Sequence, residues 1–408
     1  MSQADFSAEL ARLDEAGLRR HRRMVESPQA PRLRADGRDW LSFCSNDYLG
    51  LANHPKLIEA TVEAARRHGV GGGASPLVSG HHLLHQALED RLAAFMGRPC
   101  LGFSGGFPAN VGILPALVGR EDAIFADKLV HASIIDGAQL SRAKLKRFRH
   151  NDPAHLEELL KTTPGRRCLI AVDGVFSMDG DIAPLPELLR LAEAYDAWLY
   201  VDDAHGFGVL GQGGRGLPEH FGIKSPRLIH LCTLGKAAGV AGAAVFAEQN
   251  VIDWLLQSAR SYVFSTAPPA LLAAALLASL DIIEHEPKRR EHLRHLIKRL
   301  RSGCADLPWA LMASMTPIQP LVVGANQAAL DLAEALRGHG IWVPAIRPPT
   351  VPEGTARLRI SLSAAHTEAD VDQLLEALQV CGGEFIRPGR ESGRMNSPLQ
   401  GPQIGGLE

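Results

Sequence analysis

Lys236 stands in Thr233-Leu-Gly-Lys-Ala-Ala-Gly239, directly after the apolar run Leu228-Ile-His-Leu-Cys232. The small residues around it let backbone and a flat ligand approach closely. A lysine in such a place, with its pKa lowered, is a nucleophile toward an aldehyde cofactor and forms a Schiff base with it. Asp202, in Val201-Asp-Asp-Ala-His-Gly206, ends another apolar run. A carboxylate buried at a strand end pairs with a protonated pyridine nitrogen and makes that ring an electron sink. Gly105-Gly106-Phe107 opens a helical stretch after Cys100-Leu-Gly-Phe103. Backbone N–H groups at a helix N-terminus are what a phosphate takes. Aldehyde, pyridinium and phosphate together describe pyridoxal 5'-phosphate (PLP).

Each feature alone has a plainer reading. A lysine after a strand is usually a surface lysine, and Asp-x-x-His is often a structural hydrogen bond. The paired glycines have neither a Walker lysine nor a dinucleotide Gly-x-Gly-x-x-Gly beside them. The series is what carries weight. Polar residues follow one apolar run after another: Gly105 to Phe107, then His131, then Ser177, then Asp202 with His205, then Thr233 with Lys236. Ligands of open parallel sheets sit at the carboxyl ends of strands, and packing alone does not explain so many costly ionisable groups there. His81, His82 and His85 have helical spacing without an accompanying Cys or carboxylate pattern, so they read as solvated or packing residues and no metal is expected.

The elements that must position these residues follow from periodicity. Between about 100 and 250, short apolar runs alternate with helical stretches. The runs are 100–103, 123–126, 168–172, 198–201, 228–232 and 242–247. They predict strands buried on both faces, joined by crossover helices into a mostly parallel sheet of the α/β class. Ala270 to Leu280 predicts a buried helix, too short to span a bilayer. After 285 the pattern predicts a smaller α+β domain. Its parts are a basic helix from Pro287 to Ser302, Ile318 to Val323, a helix from Gln327 to Gly338, Ile341 to Ile346, Arg357 to Leu362 and a last helix from Thr367 to Val380. The expected organisation is an N-terminal arm over 1–45, a large domain over 46–285, a small domain over 286–384, and a disordered tail over 385–408, which is rich in Gly, Pro, Ser and Arg. A helix is expected over 8–23, with the basic run Arg19-Arg-His-Arg-Arg23 closing it at its negative end.

The 408 residues carry a formal net charge of -2, which argues against nucleic acid or an anionic membrane as the main partner. With 46% hydrophobic and 22% charged residues the composition is that of an ordinary globular protein. The cysteines at 44, 100, 168, 232, 304 and 381 form no Cys-x-x-Cys pair and read as reduced thiols. The N-terminus shows no signal-peptide core, and a cytoplasmic enzyme is expected.

Several segments resemble the α-oxoamine synthases, a group within the fold-type I, aminotransferase-like PLP enzymes. They are Asn46-Asp-Tyr-Leu-Gly50, Ser104-Gly-Gly-Phe-Pro-Ala-Asn110, His131-Ala-Ser133, Asp173-Gly-Val-Phe-Ser-Met-Asp-Gly180, Val201 to Gly206, Thr233 to Lys236, Ser265-Thr-Ala-Pro-Pro269 and Gly354-Thr-Ala-Arg-Leu-Arg-Ile360. The resemblance implies an acyltransferase, with Lys236 carrying the cofactor and His131 stacking on its ring. It implies that Asp202 holds the pyridine nitrogen and that His205 and Ser177 lie near the ring hydroxyl. Gly106, Phe107 and Thr233 would hold the phosphate, with Thr266 reaching in from the other subunit of a homodimer. Arg359 would clamp the amino-acid carboxylate, where a planar bidentate donor suits, and Arg20 would help to hold the acyl substrate. Arg347-Pro-Pro-Thr350-Val-Pro, leading into Gly354-Thr-Ala-Arg-Leu-Arg359, resembles most the members that condense L-alanine with a pimeloyl thioester, pimeloyl-CoA or pimeloyl-acyl carrier protein, and places Arg347 and Thr350 among the substrate-binding candidates. The alternatives are a glycine C-acetyltransferase and, more remotely, a non-catalytic or NAD-binding α/β protein. Leu234 and Ala238 stand where relatives often have aromatics, and Ala74-Ser-Pro-Leu77 departs from the family pattern where the acyl substrate approaches.

Overall fold

The structure is a computed structural model describing residues 6–16 and 18–386. β1 (Arg32–Ala35) and β2 (Arg38–Ser42) form an antiparallel hairpin. Its turn is Asp36-Gly37, both at positive φ (51° and 72°), the conformation a tight hairpin requires and Asp-Gly supplies.

Next come the strands of the main sheet: β3 (Cys100–Phe103), β4 (Ala123–Asp127), β5 (Lys144–Phe148), β6 (Cys168–Asp173), β7 (Ala197–Asp202), β8 (Leu228–Thr233) and β9 (Ala243–Phe246). Their order is β3-β9-β8-β7-β6-β4-β5. β4, β5, β6, β7 and β8 pair in parallel, and β9 alone runs against both its neighbours. The fold is therefore of the expected α/β class, built on a mostly parallel sheet. Alternation along the central strands shows both faces covered: Phe125, Ile170 and Val172 enter one apolar core, and Ile124, Ala126, Leu169 and Ala171 the other. Sequence reading missed β5. Its Lys-Leu-Lys-Arg-Phe pattern is largely exposed, as an edge strand tolerates, and so lacks the apolar signature of its neighbours.

A second sheet follows, built from β10 (Ala310–Leu311), β11 (Ile318–Gly324), β13 (Ala345–Ile346) and β14 (Ala356–Ser361), all antiparallel in the order β10-β11-β14-β13. β12 (Ile341–Trp342) leaves it and pairs in parallel with β2, tying the hairpin to the C-terminal region. The expected single run from 341 to 346 is thus two strands in two sheets. Pro344, which has no N–H for a ladder, lies between them, and its carbonyl accepts from the Arg359 N–H at 3.0 Å.

The first helix is Ser7–Glu15, shorter than the expected 8–23. Leu18 and Arg19 N–H both turn back to the Leu13 carbonyl (2.7 and 3.1 Å), closing the last turn, and the basic run continues as extended, exposed chain. The last helix runs Glu368–Ile386, past the expected Val380, because its buried stripe of Leu374, Leu378 and Cys381 continues at helical spacing. The expected disordered tail beyond 386 lies outside the described residues. Among the described residues no helix is long and apolar enough to cross a membrane. His82 and His85 form a reciprocal N-terminal cap of helix Leu83–Met96.

Candidate active site

The carboxyl ends of the parallel strands converge on one cavity of about 400 Å³. β4 leads through Asp127 to His131, which caps helix Ala132–Ser141 by accepting from Ser133 N–H at 3.3 Å. β6 ends on Asp173, β7 on Asp202, and β8 on Thr233, three residues before Lys236. Helix Gly106–Leu117 points its N-terminus into the same space. Of the residues singled out in the sequence, Gly106, Phe107, His131, Asp202, His205, Thr233 and Lys236 all line this cavity.

Asp202 is held from two sides. Asn110 Nδ2 donates to one carboxylate oxygen at 2.7 Å and the Ala204 N–H to the other at 3.1 Å. Asn110 is itself fixed: its amide also reaches Ser133 Oγ at 2.8 Å, and its oxygen accepts from the buried Tyr200 hydroxyl at 2.5 Å. Ser133 Oγ in turn lies 2.6 Å from His131 Nδ1. The carboxylate and the imidazole thus belong to one network, and such networks fix side-chain direction. Asp173 lies beside them, accepting from the His131 N–H at 3.0 Å. Burial and the nearby Asp202 charge raise its pKa well above the carboxylate range.

Lys236 Nζ sits 2.8 Å from His205 Nε2, and His205 Nδ1 lies 2.6 Å from the Tyr48 hydroxyl. Burial and the Lys236 charge push the His205 pKa well down, so its ring is neutral. Burial lowers the Lys236 pKa to about 8, against the opposing pull of Asp202 and Asp173. Lys236 also lines a second cavity of about 450 Å³, bounded by Cys44, Asn46, Asp47 and Trp342. Space is therefore open to it on two sides.

Arg359 and Arg357 lie two apart on β14, on one face of the strand. Arg357 pairs with Asp179 at 2.5 Å. Arg359 has neutral partners: Nε donates to the Ser177 carbonyl at 2.6 Å, one terminal nitrogen to Ser361 Oγ at 2.8 Å, and the other to Asn46 Oδ1 at 3.2 Å. Among the described residues no carboxylate pairs with it. A guanidinium has five N–H donors; with three engaged, two remain, the number a bidentate carboxylate takes.

Other expected residues lie elsewhere. Ser177 contributes its carbonyl to Arg359 and is not among the residues lining the cavity at the strand ends. Thr266 is exposed and lines a neighbouring space of about 90 Å³ with His81, His85 and Glu89. Arg20 is exposed on the segment after the first helix, and Arg347 and Thr350 lie in the loop after β13; none of the three lines the cavity at the strand ends. Sequence reading did not single out Asn110, Tyr200, Ser133 or Tyr48. Asn110 and Tyr48 were inside quoted motifs, but nothing in their spacing announces that they meet residues 92 and 157 positions away.

Comparison with known proteins agrees with this geometry. The family model for aminotransferase class I and II matches residues 38–378. The chain belongs to this family of fold-type I PLP enzymes, in its α-oxoamine synthase group. It is 56% identical over 394 residues to 8-amino-7-oxononanoate synthase 1 of Polaromonas sp. (strain JS666 / ATCC BAA-500), covering 94% of this chain and 96% of that one. It is 58% identical to 8-amino-7-oxononanoate synthase of Aromatoleum aromaticum over 374 residues, 91% and 97% of the two chains. Among solved structures, a serine palmitoyltransferase variant from S. paucimobilis with bound PLP–myriocin aldimine superposes with a TM-score of 0.88 at 29% identity, covering 93% of this chain and 98% of its own.

Proposed function

We propose that this chain condenses L-alanine with a pimeloyl thioester, releasing CO2 and the free thiol and yielding 8-amino-7-oxononanoate, a step of biotin biosynthesis, with PLP as cofactor. The observation that carries the reading is the 56% identity to 8-amino-7-oxononanoate synthase across nearly the whole chain, joined to a site that fits the cofactor group by group. The fit is physical. Lys236 is a buried amine with a depressed pKa. Asp202 is an oriented carboxylate. At Gly106 a Cβ would come within 2.5 Å of Thr233 Cγ2, so a glycine there lets Thr233 sit beside the helix N-terminus, whose N–H groups suit a phosphate.

PLP supplies an electron sink for the charge left on the amino-acid Cα once its proton is gone. The protein does the rest. Lys236, the amine that would carry the cofactor, is placed to take the Cα proton and to return one, and its lowered pKa suits a base near neutral pH. Asp202, aligned by Asn110, would pair with the pyridine nitrogen and hold its proton. His131, fixed by Ser133, would lie against the cofactor ring. His205, neutral and held by Tyr48, bonds Lys236 and fixes where the amine points. Arg359 takes the L-alanine carboxylate with its two remaining donors. The space beside Cys44 and Trp342 receives the acyl chain, with Arg20, Arg347 and Thr350 contributing beyond it.

The active form we propose is a homodimer in which Thr266 of one subunit completes the phosphate site of the other. Its support is that large apolar side chains such as Leu77, Val78, Phe107 and Phe264 stand exposed on the single chain, as side chains that a partner surface covers do. The test of the reaction is thiol release by the PLP-loaded enzyme with L-alanine, glycine or L-serine against pimeloyl-CoA, pimeloyl-acyl carrier protein and acetyl-CoA. L-Alanine with a pimeloyl donor is the expected productive pair. Turnover confined to glycine and acetyl-CoA overturns the substrate assignment and leaves the family untouched.

A further inference from the structure

A histidine outside the proposed machinery bridges two loops that lead to residues of the site. His150 follows the edge strand β5 and is largely buried, with 26% of its side chain exposed. Its Nδ1 lies 3.0 Å from Asp127 Oδ1, and its Nε2 lies 2.8 Å from Asp181 Oδ2. A neutral imidazole has only one N–H, so it cannot donate to two carboxylates at once; both bonds together require the doubly protonated ring. Burial opposes that charge, but the two carboxylates outweigh it and raise the His150 pKa to about 10.

Each carboxylate belongs to a different loop. Asp127 ends β4, and its Oδ1 also accepts from the Leu129 N–H at 2.7 Å, fixing the turn that leads to His131. Asp181 closes the loop after β6. Its carbonyl accepts from the Phe176 N–H at 3.0 Å, and the His150 ring meets the Phe176 ring edge-on at 4.4 Å. That loop carries Ser177, whose carbonyl receives Arg359, and Asp179, which pairs with Arg357.

We propose that His150 is a positioning residue: a buried imidazolium that clamps the loop bearing His131 to the loop bearing the Arg359 acceptor, and so sets the distance between the face of the cofactor ring and the clamp for the substrate carboxylate. The proposal rests on the functional reading above. It requires that loss of the clamp weaken amino-acid binding more than it weakens the fold.

The test is His150→Gln in the PLP-loaded enzyme, which can bond only one of the two carboxylates in the same geometry. Expected are a Kd for L-alanine, by calorimetry, raised roughly tenfold or more, the worth of one misplaced bond to the substrate carboxylate, an unchanged PLP content, and faster amide exchange in both 127–131 and 174–182. An unaltered Kd, or faster exchange in one segment only, overturns the proposal. Should the variant fail to fold, Asp181→Asn, which removes the negative charge facing both the His150 ring and Asn151 Nδ2, must also raise the Kd. If the parent enzyme does not bind L-alanine, the substrate reading fails by itself, and paired or unpaired acceleration of exchange still decides the clamp.

Discussion

The depressed pKa of Lys236 has a measurable consequence before any cofactor binds. An ordinary lysine titrates near 10.5, so at pH 7 roughly 0.03% of it is the neutral amine. With burial lowering the value to about 8, the neutral fraction becomes roughly 10%, about 300-fold more of the nucleophilic form. Trace acetic anhydride labelling of the apoenzyme, read by mass spectrometry across pH 6 to 11, reports that fraction directly. The labelling midpoint at Lys236 is expected near 8, and in Asp202→Asn it is expected lower, because Asp202 is a negative neighbour that holds the value up. Stability follows with a defined sign. Between about pH 8 and 10.5 the unfolded lysine is protonated and the folded one is not, so apoenzyme stability gains with rising pH in that window, by at most roughly 3 kcal/mol, while below pH 8 the full penalty of the buried charge applies. Lys236→Met lacks this dependence. A Lys236 labelling curve with its midpoint at the ordinary value refutes the argument and removes the physical basis for its nucleophilicity.

Two further substitutions probe the supports. Asn110→Ala removes the donor to Asp202 and strands the buried Tyr200 hydroxyl; a loss of about 3 kcal/mol in urea unfolding is expected, together with weaker PLP retention on dialysis, and full retention would deny Asn110 its orienting role. Gly180 has φ 72°, and a Cβ there would come within 2.4 Å of the Ile318 carbonyl oxygen. Gly180→Ala is accordingly expected to destabilise by about 2 kcal/mol or more, measured by the same unfolding experiment.

What could be read from the sequence, and what could not, divides along the range of the interactions. Runs such as Cys168-Leu-Ile-Ala-Val172 announce buried parallel strands because both faces are covered and every position is apolar. The chemistry-bearing residues at the ends of those runs were legible for the same reason: a polar residue directly after an all-apolar strand is conspicuous. β5 was not legible, since one edge of it faces solvent and its pattern reads as a charged loop. Nor were the supports. Tyr200 lies inside a strand and looks like one more core aromatic, yet its hydroxyl fixes Asn110, which fixes Asp202. Ser177 was legible as a residue of the site, but what it offers Arg359 is its carbonyl, a group every residue has and no motif identifies. The basic run 19–23 was misread as a helix end because charge pattern does not say where the helix stops; the bonds from Leu18 and Arg19 to the Leu13 carbonyl do.

The two arginines of β14 show how one strand supplies both a structural and a ligand-facing cation. Both are nearly buried, at 3% and 6% exposure for Arg357 and Arg359, so each charge needs compensation. Arg357 has it in Asp179, whose carboxylate lies 2.5 Å away. Arg359 is surrounded by a carbonyl, a hydroxyl and an amide oxygen, which orient it without neutralising it. A buried guanidinium so arranged is poised for an anion from outside, and the L-alanine carboxylate is the anion the reaction brings. The amino group should then be dispensable for occupying this spot. Acetate is expected to compete with L-alanine for the PLP-loaded enzyme, raising its apparent Kd in calorimetric titration. Arg359→Lys, which replaces a three-way fork by a single nitrogen, is expected to weaken L-alanine binding by about ten- to a hundredfold and to abolish the acetate effect together with it. If acetate competes equally well against the Lys variant, the carboxylate is held elsewhere, and the uncompensated charge of Arg359 has some other purpose.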